Sequence, residues 1–336
     1  MCRLLRILLL ICPVLLPDLA HAAKPLEIFF IDVEGGQSTL VVSPSGQSLL
    51  IDTGWPGDVN ADKILTVTRA AHIKRIDYLV ITHFHRDHAG GVPDLAKRIP
   101  IGTIVDHGAN VEALDEDTGQ IYAAYQKVLK KSQHIAAKPG DGLPMNGLTV
   151  RILTSAGQHI SDPLPGAGTA NSYCSAEPKP EDDDGENPQS VGMLITYGKF
   201  RFIDLGDLEK KQELELVCPN NLVGTVDLYL ATHHGLHWSN PKATVWALHP
   251  KVAIMNNGAH KGADPEAWQI IHDSPELHDL WQLHYATASD KTHNTDNQLI
   301  ANTSEATTHF LKVTVRPDGL FMVFNPRNGL SRTYNK

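Results

Sequence analysis

The residues best equipped for chemistry lie in one heptapeptide, Thr82-His83-Phe84-His85-Arg86-Asp87-His88, directly after the apolar run of residues 76–81. Packing gains nothing from crowding three imidazoles and a carboxylate together, because burying them unpaired is costly. Neutral imidazole and carboxylate are ligands for Zn²⁺ or another divalent transition ion. In an extended stretch His83 and His85 point to one side and can share an ion. Asp87 and His88 follow once the chain turns, and can hold a second ion beside the first. A hydrogen-bonded surface histidine cluster is the competing reading.

Three more short motifs end strand-like segments: Leu50-Ile51-Asp52-Thr53-Gly54, Leu205-Gly206-Asp207 and Ala231-Thr232-His233-His234-Gly235. In this order, with the heptapeptide, they resemble the signature of the metallo-β-lactamase fold superfamily, over about residues 26–325. The resemblance implies an α/β fold of two mixed β-sheets packed face to face with helices outside. It implies two divalent ions, Zn²⁺ first and Mn²⁺ or Fe²⁺ as alternatives, held by His83, His85, Asp87, His88, Asp207 and His234. Asp207 would bridge the ions, and Asp52 would orient ligands through hydrogen bonds.

Between His159 and Asp207 there is no histidine, where most members of that family place a further ligand. The sequence has Asn187-Pro188-Gln189-Ser190-Val191 instead. With Asp32-Val33-Glu34-Gly35-Gly36-Gln37 and His233-His234-Gly235, this pattern is similar to the hydrolase domain of bacterial DNA-uptake channel proteins and to phosphorylcholine esterases. It implies an open position on the first ion for water or substrate, with Asn187 donating a hydrogen bond there and Ser190 close by. Sequence alone leaves His233 and His234 ambiguous. His234 is the favoured ligand, and His233 is favoured to face the substrate as donor or acid. His107, at the end of the run 101–105, is a candidate for the cleft wall, and Lys261 for binding an anionic group. Trp281, His284 and residues 294–297 are weaker candidates for the mouth.

The elements that must position these groups follow from the apolar periodicity. Strands are expected at 26–33, 38–42 and 49–51, with a turn at Pro44-Ser45-Gly46. Helix 61–71, strand 76–82, helix 92–98, strand 101–105 and helix 111–134 then alternate. Strands 191–197 and 200–205 flank Gly198-Lys199, a hairpin signal. Helix 208–216, strands 226–231 and 252–255, helices within 264–283 and a hairpin over 310–324 complete the chain. Residues 157–189, rich in Gly, Pro, Ser and acid, read as a long loop with a solvated, flexible tip at 181–186.

Residues 1–22 read as a secretory signal peptide: Arg3 and Arg6, an apolar run over 4–16, and Ala20-His21-Ala22 before the expected cut. The remaining chain, 23–336, reads as one domain in the periplasm or outside the cell, without a membrane span. Cys174 and Cys218 then remain, as a disulfide or as two thiols. The net charge of −9, one unit more negative without the leader, argues against long nucleic acid as a partner and for a small molecule. Oligomeric state is not legible.

An ion-activated water attacking phosphorus or a carbonyl carbon is the chemistry these residues fit. Asp87 would orient that nucleophile, and His233 would stabilise the oxyanion or protonate the leaving group. A small phosphodiester or phosphoester is the favoured substrate, and a β-lactam or lactone ring the alternative. A di-iron redox protein lacks a flavin-binding segment here. A non-catalytic binding module would not keep all six ligand positions filled.

Overall fold

The computed structural model describes residues 24–335. The leader read in residues 1–22 lies outside them. The first sheet opens with β1 (Leu26–Phe30), β2 (Thr39–Val42), β3 (Ser48–Ile51), β4 (Ile76–Val80), β5 (Ile101–Asp106) and β6 (Gln133–Ala136). The second takes β7 (Gly142–Leu143), β8 (Thr149–Ser155), β9 (Gln158–His159), β10 (Gly192–Tyr197), β11 (Phe200–Asp204), β12 (Leu228–Leu230), β13 (Val252–Met255), β14 (Asp279–His284) and β15 (Ile300–Asn302). The chain then returns to the first sheet with β16 (Leu311–Val315), β17 (Phe321–Asn325) and β18 (Leu330–Tyr334), and β16 pairs with β1.

Both sheets change from antiparallel to parallel as they approach the site. β1, β2 and β3 pair antiparallel, and β3, β4, β5 and β6 run parallel. The second sheet repeats this change, with β8, β10 and β11 antiparallel and β11 to β15 parallel. Parallel neighbours need crossovers, and these are helical. The helices are α1 (Asp58–Ala70), α2 (Arg86–Ala89), α3 (Val92–Ala96), α4 (Glu116–Leu129), α5 (Lys210–Val217), α6 (Lys242–Leu248) and α7 (Pro265–His272).

Alternation along β1 shows how the layers form. Leu26, Ile28 and Phe30 enter a core shared by the two sheets, where the Phe30 and Phe202 rings meet edge to face at 5.6 Å. Phe29 faces the other way, into a cluster under α1, α3 and α4. A third cluster seats α5, α6 and α7 on the second sheet. The result is the expected α/β sandwich of two mixed sheets flanked by helices. Among the described residues no helix is long and apolar enough to cross a membrane.

Several elements differ from the sequence reading. The helix expected over 111–134 starts later, where Asp115 caps the Thr118 N–H, and its tail peels off as β6, an edge strand beside β5. The helical stretch expected within 264–283 stops at His272. Pro275 follows and lacks the N–H a helix needs, and β14 begins at Asp279. The terminal hairpin carries a third strand, β18. Residues 157–189 are not a free loop. Leu164, Gly168 and Asn171 donate backbone bonds to Leu222, Asn221 and Pro219, and Glu177 accepts from Ala243 N at 2.6 Å. Cys174 and Cys218 form a disulfide that closes a 44-residue separation. Closing a loop of that length removes chain entropy from the unfolded state worth about 4 kcal/mol. Reduction is therefore expected to lower the urea midpoint markedly, and an unchanged midpoint would show that the crosslink contributes nothing.

Candidate metal centre

Ligands of α/β sheets gather at the carboxyl ends of parallel strands, and the singled-out residues lie there. Asp52 follows β3, His83 to His88 follow β4, Asp207 follows β11, His233 and His234 follow β12, and Lys261 follows β13. Close approach of the connecting loops is what lets them meet. Gly206 has φ +59°, and a Cβ there would press on Thr82 Cβ at 3.0 Å and Ser190 Cβ at 3.1 Å.

The side chains converge on Asp207. Its Oδ2 lies 3.1 Å from His88 Nε2, 3.2 Å from His234 Nε2, 3.5 Å from His233 Nε2 and 4.0 Å from His83 Nε2. Asp87 Oδ2 lies 3.2 Å from His234 Nε2 and 3.4 Å from His88 Nε2, and it pairs closely with Lys261 Nζ. His83 Nε2 and His85 Nδ1 are 3.0 Å apart. The geometry thus brings together all six residues expected to hold ions, in two neighbouring groups that share Asp207.

Hydrogen bonds behind the rings fix which nitrogens face inward. Asp52 is fully buried, and its carboxylate accepts from Thr82 N at 2.8 Å, Thr82 Oγ1 at 2.7 Å and His88 Nδ1 at 2.7 Å. The Thr82 proton is spent on Asp52, so Thr82 Oγ1 accepts from His83 Nδ1 at 3.1 Å. Glu112 Oε2 accepts from His85 Nε2 at 3.1 Å. These bonds hold the outer nitrogens and aim His83 Nε2, His85 Nδ1 and His88 Nε2 at one another and at carboxylate oxygens. His88 and His234 Nε2 lie 3.2 Å apart, and Asp207 Oδ1 is buried with no hydrogen-bond partner among the described residues. Such an arrangement is repulsive unless positive charge, a proton or an ion, fills it, and imidazole and carboxylate donors in this set fit divalent ions.

The electrostatics lead to the same conclusion. Burial pushes the Asp207 carboxyl up, yet His234, His88 and His233 outweigh it and hold it well below the carboxylate range. Burial likewise opposes ionisation of Asp87, and His88 and Lys261 reverse it. Burial and the neighbouring His88 and His85 keep His83 neutral, its pKa well below the usual value. Burial disfavours charge on His88, but Asp207, Asp87 and Asp52 raise its pKa well above normal. A proton on His88 thus carries the positive charge that an ion would supply, and binding an ion would release it.

His233 and His234 both have left-handed backbone, φ +54° and +57°, which turns both rings toward Asp207. Glu213 on α5 supports this loop: it accepts from Asn240 N at 2.7 Å, while Asn240 Nδ2 donates to Thr232 O at 2.9 Å. Burial pushes the Glu213 carboxyl up to about 8, against an ordinary 4.5. The folded chain therefore holds an extra proton between those pH values, so stability falls as pH rises across that window. Glu213→Gln is expected to flatten this part of the pH–stability curve in chemical denaturation, and a parallel curve would refute the assignment.

Other expected site residues fall elsewhere. His107 is buried behind the His83–His85 strand end, bonded to Glu186 at 2.9 Å and packed on Phe84, so it does not line a cleft. Ser190 lies behind the ligands, where its Oγ accepts from Asp207 N at 3.2 Å. Asn187 Nδ2 donates to Glu209 at 3.3 Å, and its Oδ1 has no partner among the described residues. Trp281 is core, bonded to Tyr334 Oη. His284 is buried against Asp32 at 2.8 Å, and with Glu34 they form a second acid–histidine group. There Lys63 lies 3.8 Å from Asp32 and 3.7 Å from Glu34 and supplies the cation itself.

The roles of four supporting residues escaped the sequence reading. Gln37 donates to both oxygens of Asp204, at 3.0 and 2.9 Å, and Asp204, pushed up to about 7 by burial, accepts from Gly206 N. Glu112 and Glu186 stand behind His85. No local pattern marks these roles, since the Gln37–Asp204 and Glu112–His85 pairs join residues distant in sequence.

Residues 31–170 match the metallo-beta-lactamase superfamily. ComE operon protein 3 of Bacillus subtilis is 27% identical over 250 residues, 69% of this chain and 28% of that protein. Recombination protein 2 of Haemophilus influenzae is 25% identical over 238 residues, 69% of this chain and 24% of that protein. The chain thus spans about a quarter of the length of these curated relatives. Among solved structures, the metallo-beta-lactamase fold protein YhfI from Bacillus subtilis is similar at a TM-score of 0.46 and 13% identity, over 76% of this chain and 95% of that one. Over residues 31–170 the chain thus carries a metallo-beta-lactamase superfamily domain, and the two mixed sheets with the histidine–aspartate cluster at their strand ends agree with that match.

Proposed function

We propose that the protein is an exported hydrolase of small phosphodiesters or phosphoesters, working with two divalent ions, Zn²⁺ foremost. The observation that carries the reading is the convergence of imidazole nitrogens and the Asp87 carboxylate on Asp207, with Lys261 beside Asp87 at the rim. His83 and His85 would hold one ion, Asp87, His88 and His234 the other, and Asp207 both. Bound there, such ions supply Lewis acidity and make water nucleophilic near neutral pH.

The chain's own groups then have distinct tasks. Asp87 carries its charge at neutral pH and orients the attacking water. Lys261, part-exposed next to it, draws an anionic substrate oxygen to the mouth. Ser239 Oγ donates to Leu208 O at 2.7 Å, so it accepts from His233 Nδ1 at 3.2 Å. That fixes the His233 tautomer and leaves Nε2 free. Burial holds its pKa down to about 4, so it enters the reaction as proton acceptor and donates to the leaving group only after taking up a proton.

The chain's net charge of −9 supports a small substrate over a long polyanion. The Cys174–Cys218 disulfide supports an oxidising compartment. The test is hydrolysis of bis-nitrophenyl phosphate, nitrocefin and a homoserine lactone by Zn²⁺-loaded protein. Phosphodiester turnover is the expected result, and turnover of nitrocefin alone would overturn it.

A further inference from the structure

We propose that Glu112, clamped by Glu186 from the acidic segment, is a positioning residue that fixes the metal-binding face of His85. This rests on reading the cluster as a metal centre. His85 is the most exposed of the clustered rings, with 29% of its side chain open to solvent. A ring so placed turns freely unless its outer nitrogen is held. Glu112 Oε2 holds it, at 3.1 Å from Nε2, and so commits Nδ1 to the side where His83 Nε2 lies 3.0 Å away. Asp52 treats His88 in the same way from the opposite end of the cluster. Carboxylates behind ligand imidazoles set both tautomer and orientation.

Glu112 is itself held by residues far away in sequence. Its Oε1 accepts from Glu186 N at 2.9 Å, and Thr118 Oγ1 reaches Oε2 at 3.3 Å. The fully buried Glu186 side chain accepts from Phe84 N at 2.9 Å, His107 Nε2 at 2.9 Å and Val111 N at 2.7 Å. Phe84 separates His83 from His85, and Val111 adjoins Glu112. One carboxylate thus ties the strand end bearing the two histidines to the loop bearing their support. The fit is close, since a Cβ on Gly185 would come within 2.4 Å of Glu112 Oε1. The last residues of the acidic run are therefore a wall of the metal site.

The experiment is a competition titration of Zn²⁺ against a chromophoric chelator, with the Co²⁺ ligand-field spectrum as a second readout, on the full chain. Glu112→Ala is expected to weaken one of two bound ions about 10- to 100-fold and leave the other unchanged. Glu112→Gln, which keeps an acceptor oxygen, should lose less. Gly185→Ala leaves Glu112 chemically intact and displaces only the flexible end of its side chain, so it should fold normally and weaken the same ion. Wild-type affinity and spectrum in both Glu112→Ala and Gly185→Ala would overturn the proposal, as would equal weakening of both ions, the mark of general loosening. If the wild-type chain binds no divalent ion, the metal-centre reading fails and this inference with it.

Discussion

Asp207→Ala is expected to bind at most one divalent ion weakly and to lose hydrolytic turnover by roughly a thousandfold or more. An ion acting as Lewis acid supplies several kcal/mol of charge stabilisation, and each 1.4 kcal/mol is about tenfold in rate. Asp207 is the residue on which both groups of ligands converge, within 3.2 Å of His88 and His234 and 4.0 Å of His83. Removing it leaves imidazole nitrogens facing one another with no shared anion. Metal content by elemental analysis, alongside turnover, checks this. Two tightly bound ions in the variant would remove Asp207 from the centre. A circular dichroism spectrum like that of the wild type separates loss of the site from loss of the fold.

Asp52→Asn is expected to lower affinity for the ion held by His88 about 10- to 100-fold, while leaving the shape of the residue intact. The carboxylate takes three hydrogens, from Thr82 N, Thr82 Oγ1 and His88 Nδ1. An amide offers one acceptor oxygen and two N–H groups, so one of those three donors must face another donor. The cheapest escape is a flipped His88 tautomer, with Nε2 protonated and useless as a ligand. Asp52→Ala would add the cost of an unpaired buried imidazole and threonine, and is expected to destabilise by roughly 1–3 kcal/mol per stranded group. Chelator competition for the first variant and urea unfolding for the second measure the two effects separately. Wild-type affinity in Asp52→Asn would mean that His88 is oriented by packing alone.

The parts of this protein visible in its sequence are those whose physics is local. An apolar strand followed by a ligand-rich turn can be read from residues 76–88, and the same holds for Asp52, Asp207 and the His233-His234 pair. Their convergence was legible through the resemblance, because strand ends of a two-sheet sandwich meet along one edge. β6 was hidden because Gln133 to Ala136 is exposed along its length and so shows no buried face, and pairing with the edge of β5 decides its form. β14 was hidden inside a run of helix-compatible residues, and its partners β13 and β15 decide its form. His107 looked like a cleft residue because it follows a strand end, yet Phe84 and Glu186 enclose it. Glu186 sits in a run of acids that composition marks as solvated. Its burial depends on donors from Phe84, His107 and Val111, which no window of sequence around it contains.

Asp52, His233 and His234 share one property beyond their place at the site: each sits at positive φ, +58°, +54° and +57°, where a side chain costs about 1–2 kcal/mol that glycine would avoid. Glycine at any of the three would relieve that strain but strand the partners of the lost side chain, the Thr82 and His88 donors of Asp52 or the buried carboxylates facing His233 and His234, so the bent backbone is kept in place by the bonds its side chains make.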